Sequence, residues 1–506
     1  MKKKETGENL PEYMLSCVTL LYLIVMLGMF PFFFRNRYFD IVSAKKEFFQ
    51  GTTVVLLAFT GVFGILAAWK KHTKWKITRD IYFVDVWVIL FLLSVVVSCI
   101  LSPWSREAFW GNEGRQLGGA FLLLCGGAYF TVSRWYRASG TLLWVFVLAN
   151  CGIWLMIICD FWGLDVFYMK KNLPEQYLTY FTGTMGNINM NAEYSGVIAV
   201  LMMGFFYRCE ERLSKICFWG TSAAGVYACF CTRSDSWLLA VGGGLLALLL
   251  FSLEEGRLSR WREILSSFFC GAVGMKLTVA VSQWTGWKNI YIQDLKEQEL
   301  LLRILDEKVL LVLAVVLLLG YAVEKSHRLN ESRYSEFLQK QGIWVLLAVA
   351  ATGALMAAIS IVPLEDSFGS NRGYIWKRTI LNFRESHLLQ KLFGCGPNCF
   401  LPFMEEKYGA EMRRLFVSPF ADAHNEFLQF LTVAGIFGAA SYMGIQISVF
   451  VSCLKRRRQE AISILGCAGV AAYMLQALVN NPSVIITPLY FIFLGIIRSK
   501  IGKKSE

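Results

Sequence analysis

Long apolar runs alternate with short polar stretches along most of this chain. A bilayer's hydrocarbon core, about 30 Å thick, is crossed by roughly 20 apolar residues in a helix. In lipid every backbone N–H and C=O must be satisfied within the spanning structure, so runs of that length are helices. Met14–Phe34, Val84–Leu101, Leu142–Leu164, Leu238–Leu253, Ile343–Val362 and Phe427–Val451 meet or approach it. The pattern predicts fourteen spans, at 14–34, 52–69, 84–101, 118–132, 142–160, 192–206, 216–231, 238–253, 264–282, 309–323, 343–362, 427–451, 462–479 and 484–497. Several are short, which leaves twelve or thirteen as alternatives. The expected fold is an all-α polytopic membrane protein with about 12–14 transmembrane helices, a single integral membrane domain over residues 1–506. The first segment lacks a small-residue cleavage site and reads as an anchor.

Composition narrows the class. Of the 506 residues 56% are apolar and 17% charged, against about 25% charged in a soluble domain. The net charge of +13 does not require nucleic acid, because the basic residues cluster between apolar runs. With a cytoplasmic N-terminus, one set of connections contains Lys2–Lys4, Lys70–Arg79, Arg134, Arg137, Arg208–Lys215, Arg257–Arg262, Lys325–Lys340, Lys455–Arg458 and Arg498–Lys504. That set carries roughly 0.30 Lys/Arg per residue and the other roughly 0.13, the bias of cytoplasmic over external loops. Both termini are therefore expected in the cytoplasm, and the membrane is expected to be the cytoplasmic (plasma) membrane.

This orientation leaves the polar loops 102–117, 165–191, 232–237, 283–308 and 363–426 outside. The last has 64 residues, too long for a simple connection. The cytoplasmic connections are mostly about ten residues, so chemistry is expected at the outer face. The fourteen cysteines lie mostly in apolar runs and read as small buried hydrophobes. Cys395 and Cys399 share the long loop, where a disulfide stays open. There is no P-loop, dinucleotide fingerprint or His-Glu-x-x-His. Of four histidines (His72, His327, His387, His424), two fall on the cytoplasmic side, which disfavours a His-rich metal site.

Polar groups recur in four places. Ser370-Asn-Arg372-Gly-Tyr-Ile-Trp376 puts Arg372, Trp376 and Ile380 on one i, i+4 face, the start of a short helix along the membrane. It is followed by Leu392-Phe-Gly394-Cys-Gly396-Pro-Asn-Cys-Phe400, whose glycines permit a tight turn. Asp422-Ala-His424-Asn425-Glu426 then opens the next apolar run. A half-desolvated imidazole there can serve as a base near neutral pH. Upstream, Gly183-Thr-Met-Gly186-Asn187-Ile-Asn189-Met-Asn191 places Asn at a helix start, where it satisfies free N–H groups. Thr232-Arg233-Ser234-Asp235-Ser236-Trp237 is a short external turn, and Trp110-Gly-Asn-Glu-Gly114-Arg115-Gln-Leu-Gly118 opens another span.

In this order the motifs resemble the O-antigen ligase and polymerase superfamily of membrane glycan transferases, over residues 370–438. That family's long external loop runs from Arg-x-x-x-Trp through Gly-x-Gly to a His-Asn pair at a helix mouth. Its Gly-Asn-Pro-Asn segment is matched here with Ile188 in place of proline, a looser turn. The resemblance implies a helical bundle with a partly helical external loop over a cavity open to lipid and water. It implies glycan transfer from an undecaprenyl-diphosphate carrier to the hydroxyl of a glycan, lipid or protein, with inversion and without a metal or other cofactor. His424 would be the base and Arg372 its catalytic companion. Arg115, Arg233 and Arg372 would hold the diphosphate, as planar guanidiniums bind phosphate oxygens bidentately. Asn187, Asn189, Asn425 and Trp376 would support them.

Two rivals stand beside this. A transporter or flippase of lipid-linked sugars would show paired broken helices in two halves, and no such repeat is visible. A peptidoglycan polymerase of the shape-and-division type would need an acidic catalytic residue. The long loop's aspartates, Asp366 and Asp422, sit in no pattern of that kind.

Overall fold

The computed structural model describes residues 10–70, 81–325, 365–416, 420–457 and 460–501. Among these the secondary structure is helical, with one isolated antiparallel bridge between Phe181 and Asn187. Thirteen of the expected spans coincide with helices. They are Leu10–Ile24 (prolonged by tight and wide turns to Phe32), Ile41–Lys70, Phe83–Leu101, Gly119–Trp135, Gly140–Phe161, Ile188–Arg208, Arg212–Cys231, Trp237–Glu254, Leu258–Thr285, Glu307–Lys325, Glu426–Arg456, Ala461–Gln476 and Thr487–Ile501. The span expected at 343–362 lies outside the described residues.

Among the described residues, seven helical stretches are long and apolar enough to cross a membrane by themselves. The chain is an all-helical, multi-pass membrane protein. Most of the remaining helices are shorter or more polar and are shielded by their neighbours, whereas Glu307–Lys325 leaves Leu311, Val312, Leu318 and Leu319 exposed. Ile188–Arg208 buries 15 of its 21 residues. It packs on Trp237–Glu254, and a Cβ on Gly244 would stand 2.3 Å from Val200. Small residues let helices approach closely where lipid offers no hydrophobic drive to association. Elsewhere Glu426–Arg456 lies along Phe83–Leu101, Ala461–Gln476 along Trp237–Glu254, and Thr487–Ile501 along Gly119–Trp135. At the end of the bundle holding the first turn of Phe83–Leu101, buried Asp85 accepts from Arg134 at 2.9 Å, Tyr129 at 2.7 Å and Arg498 at 3.2 Å.

The opposite end carries the polar loops. From residue 365 the long loop is partly helical: Phe368–Glu385, Leu388–Phe393 and Phe400–Leu415. Gly369, Ser370 and Asn371 take left-handed backbone angles, so the regular helix starts at Arg372. The Gly-x-Gly segment does more than turn. It enters a break in Glu426–Arg456 at Gly435, whose φ is 71°. Cys395 and Gly396 donate their N–H groups to Thr432 O and Val433 O, each at 3.0 Å. A Cβ on Gly394 would lie 2.3 Å from the Val433 backbone, and one on Gly435 would lie 2.3 Å from Leu392. Ser98 Oγ also donates to Val433 O, at 2.6 Å. Carbonyls freed by the break are thus satisfied by protein, the condition for irregular backbone at membrane depth.

Candidate functional site

Three loops and one helix start meet at the His424 side chain. The residues 420–425 that carry it are fastened from three sides. Trp376 Nε1 donates to Ala423 O at 2.9 Å, the Ala423 N–H to Gln429 Oε1 at 2.9 Å, and Asn425 Nδ2 to Leu478 O at 2.9 Å. Asn425 also caps its helix, accepting from the Leu428 N–H at 3.0 Å. Trp376, to which the resemblance gives a supporting role, is buried and braces this segment. So held, His424 adopts φ 47°, a left-handed conformation that a non-glycine residue takes at about 1–2 kcal/mol. Strain of this kind survives where the surroundings over-determine it, often at functional sites.

Asp422, 2% exposed, is the partner of Arg115: Arg115 Nε donates to its Oδ2 at 2.5 Å. Asp422 Oδ1 accepts the His424 backbone N–H at 3.2 Å and stands 3.5 Å from His424 Nε2. The Arg115 loop is itself held by the long loop. Asn398 Oδ1 accepts the Leu117 N–H at 3.0 Å, and Asn398 Nδ2 donates to Glu107 Oε1 at 2.6 Å. Arg372 donates from Nη1 to Gly369 O at 3.0 Å, and its Nε is buried with no partner. A buried polar atom without a partner is uncommon and calls for a reason.

The charges act on one another. Burial pushes the His424 imidazole below its ordinary value. Asp422 pulls it up, while Arg372 and then Arg115 push it down. Burial would raise Asp422, but Arg115 first, then His424, hold its carboxyl below the usual range. Burial likewise depresses Arg372, against the pull of Asp235 and Asp422. The outcome is a neutral imidazole, 26% exposed, beside two guanidiniums. Such a group can take a proton while its neighbours receive an anion.

Arg233 is not part of this cluster. Its side chain is fully buried. Nε pairs with Asp294 at 2.8 Å, Nη1 donates to Cys231 O at 3.3 Å, Nη2 to Thr179 O at 2.8 Å, and the guanidinium lies over the Tyr291 ring. Beside it Lys170 bridges Asp160 at 2.7 Å and Tyr291 Oη at 2.8 Å. This lock joins the 165–191 loop, the 232–237 turn and the short helix Ile290–Glu297. The next residue but one, Asp235, faces the cluster, since its charge bears on Arg372. Asn187 caps Ile188–Arg208 by accepting from the Met190 N–H at 2.9 Å, and Asn189 Oδ1 accepts from Ser234 Oγ at 2.8 Å. Both organise the loops rather than line the cluster.

Arg378 pairs with Glu411 and Arg413 with Glu405, away from His424. Cys395 and Cys399 are free buried thiols. Among the described residues no group of three or more His, Cys, Asp or Glu is set to hold a metal ion. Below Asn425, Glu426 accepts from Tyr442 at 2.6 Å and Tyr473 at 2.8 Å, and Glu193 accepts from Gln476 at 2.7 Å. Glu193 also lines a largely apolar cavity of about 230 Å³ between helices, with Tyr194, Leu201, Phe205, Tyr473 and Tyr490.

Three groups of this cluster escape a sequence reading. Asp422 stands two residues before His424 but in no recognisable pattern. Asp235 reads as a neighbour of Arg233. Asn481, whose amide lies 3.2 Å from His424 Nδ1, belongs to Asn480-Asn481-Pro482, which by itself signals only a turn. No family model matches the chain, and no curated protein matches it.

Proposed function

We propose that this protein transfers a glycan from an undecaprenyl-diphosphate carrier to an acceptor hydroxyl at the outer face of the cytoplasmic membrane, in the manner of O-antigen ligases and polymerases. The observation that carries the reading is the neutral His424 imidazole set among Asp422, Arg115 and Arg372, with Arg372 Nε buried and unpartnered. The low density of basic residues in these loops supports the outward orientation.

In the reaction the acceptor oxygen attacks the anomeric carbon, and the bond from that carbon to the diphosphate oxygen breaks. The hydroxyl proton passes to His424, and undecaprenyl diphosphate departs with the electron pair. Arg372 meets the charge growing on the leaving group. Arg115 keeps its terminal amino groups for the same anion while Nε holds Asp422. The apolar cavity beside Glu193 suits a hydrocarbon chain. Its polar wall connects through Gln476 to Asn480, which donates to Gln476 Oε1 at 2.6 Å.

The test uses purified protein, a labelled lipid-diphosphate glycan and candidate acceptors. Acceptor-dependent release of undecaprenyl diphosphate is expected. It should fall about 10²–10⁴-fold in His424→Ala and about 10²–10³-fold in Arg372→Ala. Release that survives both changes rejects the assignment. Movement of intact donor across the bilayer without cleavage indicates a transporter.

A further inference from the structure

We propose that Asn481 is a positioning residue that holds neutral His424 as its Nε2–H tautomer, keeping the lone pair on Nδ1, where the entering acceptor hydroxyl displaces the Asn481 N–H and then gives up its proton. The proposal rests on reading His424 as the base. The two ring nitrogens face different groups. Nε2 looks toward Asp422 Oδ1 at 3.5 Å. That separation is long for a hydrogen bond. An anion there still favours an N–H and disfavours a lone pair. Nδ1 faces the Asn481 amide at 3.2 Å.

An amide end presented to Nδ1 is either a donor or an acceptor, and the two ring nitrogens of a neutral imidazole have opposite roles. If Asn481 turned its oxygen to the ring, Nδ1 would carry the proton and Nε2 would aim its lone pair at a carboxylate. With Nδ2 toward the ring, both contacts agree: Nδ2–H donates to Nδ1, and Nε2–H points at Asp422. The arrangement leaves Asn481 Oδ1 buried and unpartnered, so the side chain is not placed for its own satisfaction. The charged groups bearing on the ring are Asp422, Arg372 and Arg115. The arginines oppose the imidazolium and leave the tautomer choice to Asp422 and Asn481. The left-handed backbone at His424 and the ties to Trp376 and Gln429 keep the ring between these partners.

Nitrogen-15 NMR of the full-length protein, labelled at histidine and held in nanodiscs, reads the tautomer directly. The chain has four histidines, and the His424 signals are those missing from His424→Gln. The wild type is expected to show a pyridine-type Nδ1 and a pyrrole-type Nε2. In Asn481→Asp the same shape can only accept. The proton should then move to Nδ1 and the titration midpoint should rise by about one pH unit or more. The acidic limb of glycan transfer should move with it. A pyrrole-type Nδ1 in the wild type overturns the proposal, and that reading needs no variant to fold. An Asn481→Asp protein with unchanged tautomer and midpoint overturns it too. If the NMR results hold but the wild type transfers no glycan to any acceptor, the reading of His424 as a base fails while the hold of Asn481 on the ring stands.

Discussion

Arg233 and Arg372 each lie at the mouth of a helix in a polar loop, and their surroundings set them to different work. Arg233 is fully buried and paired with Asp294. Removing one member of a buried ion pair strands the other, at about 3–5 kcal/mol. Arg233→Ala is therefore expected to lower the melting temperature and the yield of folded protein, measured by thermal unfolding in detergent. Among the described residues Arg372 makes a single hydrogen bond to protein, with Gly369 O. Arg372→Ala should leave the melting temperature nearly unchanged, which separates a binding arginine from a structural one. The His424 shift gives a second prediction. Only the neutral imidazole accepts a proton, so transfer should rise with pH as His424 deprotonates. Burial, Arg372 and Arg115 together lower that transition, so its midpoint should lie below about 6.5. Arg115→Ala removes a cation and frees Asp422, and both changes favour the imidazolium. The midpoint in that variant should move to higher pH in a pH–rate profile.

Elements explain which parts of the site the sequence could disclose. Hydropathy marks the helices because a span must be apolar over its whole length, and thirteen of the expected positions hold helices. His424 and Asn425 stand out because a helix start next to an apolar run is a local pattern. The junction of two distant elements leaves no such trace. Gly394 and Gly396 read as a turn, whereas their backbone fills the break at Gly435 in Glu426–Arg456. Asp294 lies 61 residues from Arg233, and Asn481 lies 57 from His424. Neither spacing has a periodicity to betray it. The break makes its own prediction. Gly435→Ala would set a Cβ 2.3 Å from the Leu392 carbonyl carbon at a positive φ. Left-handed strain and backbone overlap together should destabilise by more than about 3 kcal/mol. Thermal unfolding checks it, and a variant as stable as the wild type would mean that the loop does not enter the helix.

At the scale of the whole molecule, two charged assemblies sit at opposite ends of one apolar bundle. Asp85 with Arg134 and Arg498 ties one end. Arg115, Arg372, Asp422 and His424 gather at the other. The distribution of Lys and Arg is the ground for expecting the Asp85 end in the cytoplasm, because cytoplasmic loops are enriched in them. Glycan transfer from a lipid carrier outside the cell requires that the His424 end face out. Membrane-impermeant maleimide labelling of single cysteines tests this requirement most directly, in a background without the exposed Cys17 and Cys270. Ser367 and Ala138 are both exposed and lie at opposite ends. Intact cells should label Ser367→Cys, and Ala138→Cys should react only after permeabilisation. Labelling of Ala138→Cys in intact cells, with Ser367→Cys protected, would put His424 and Arg372 in the cytoplasm and contradict the account.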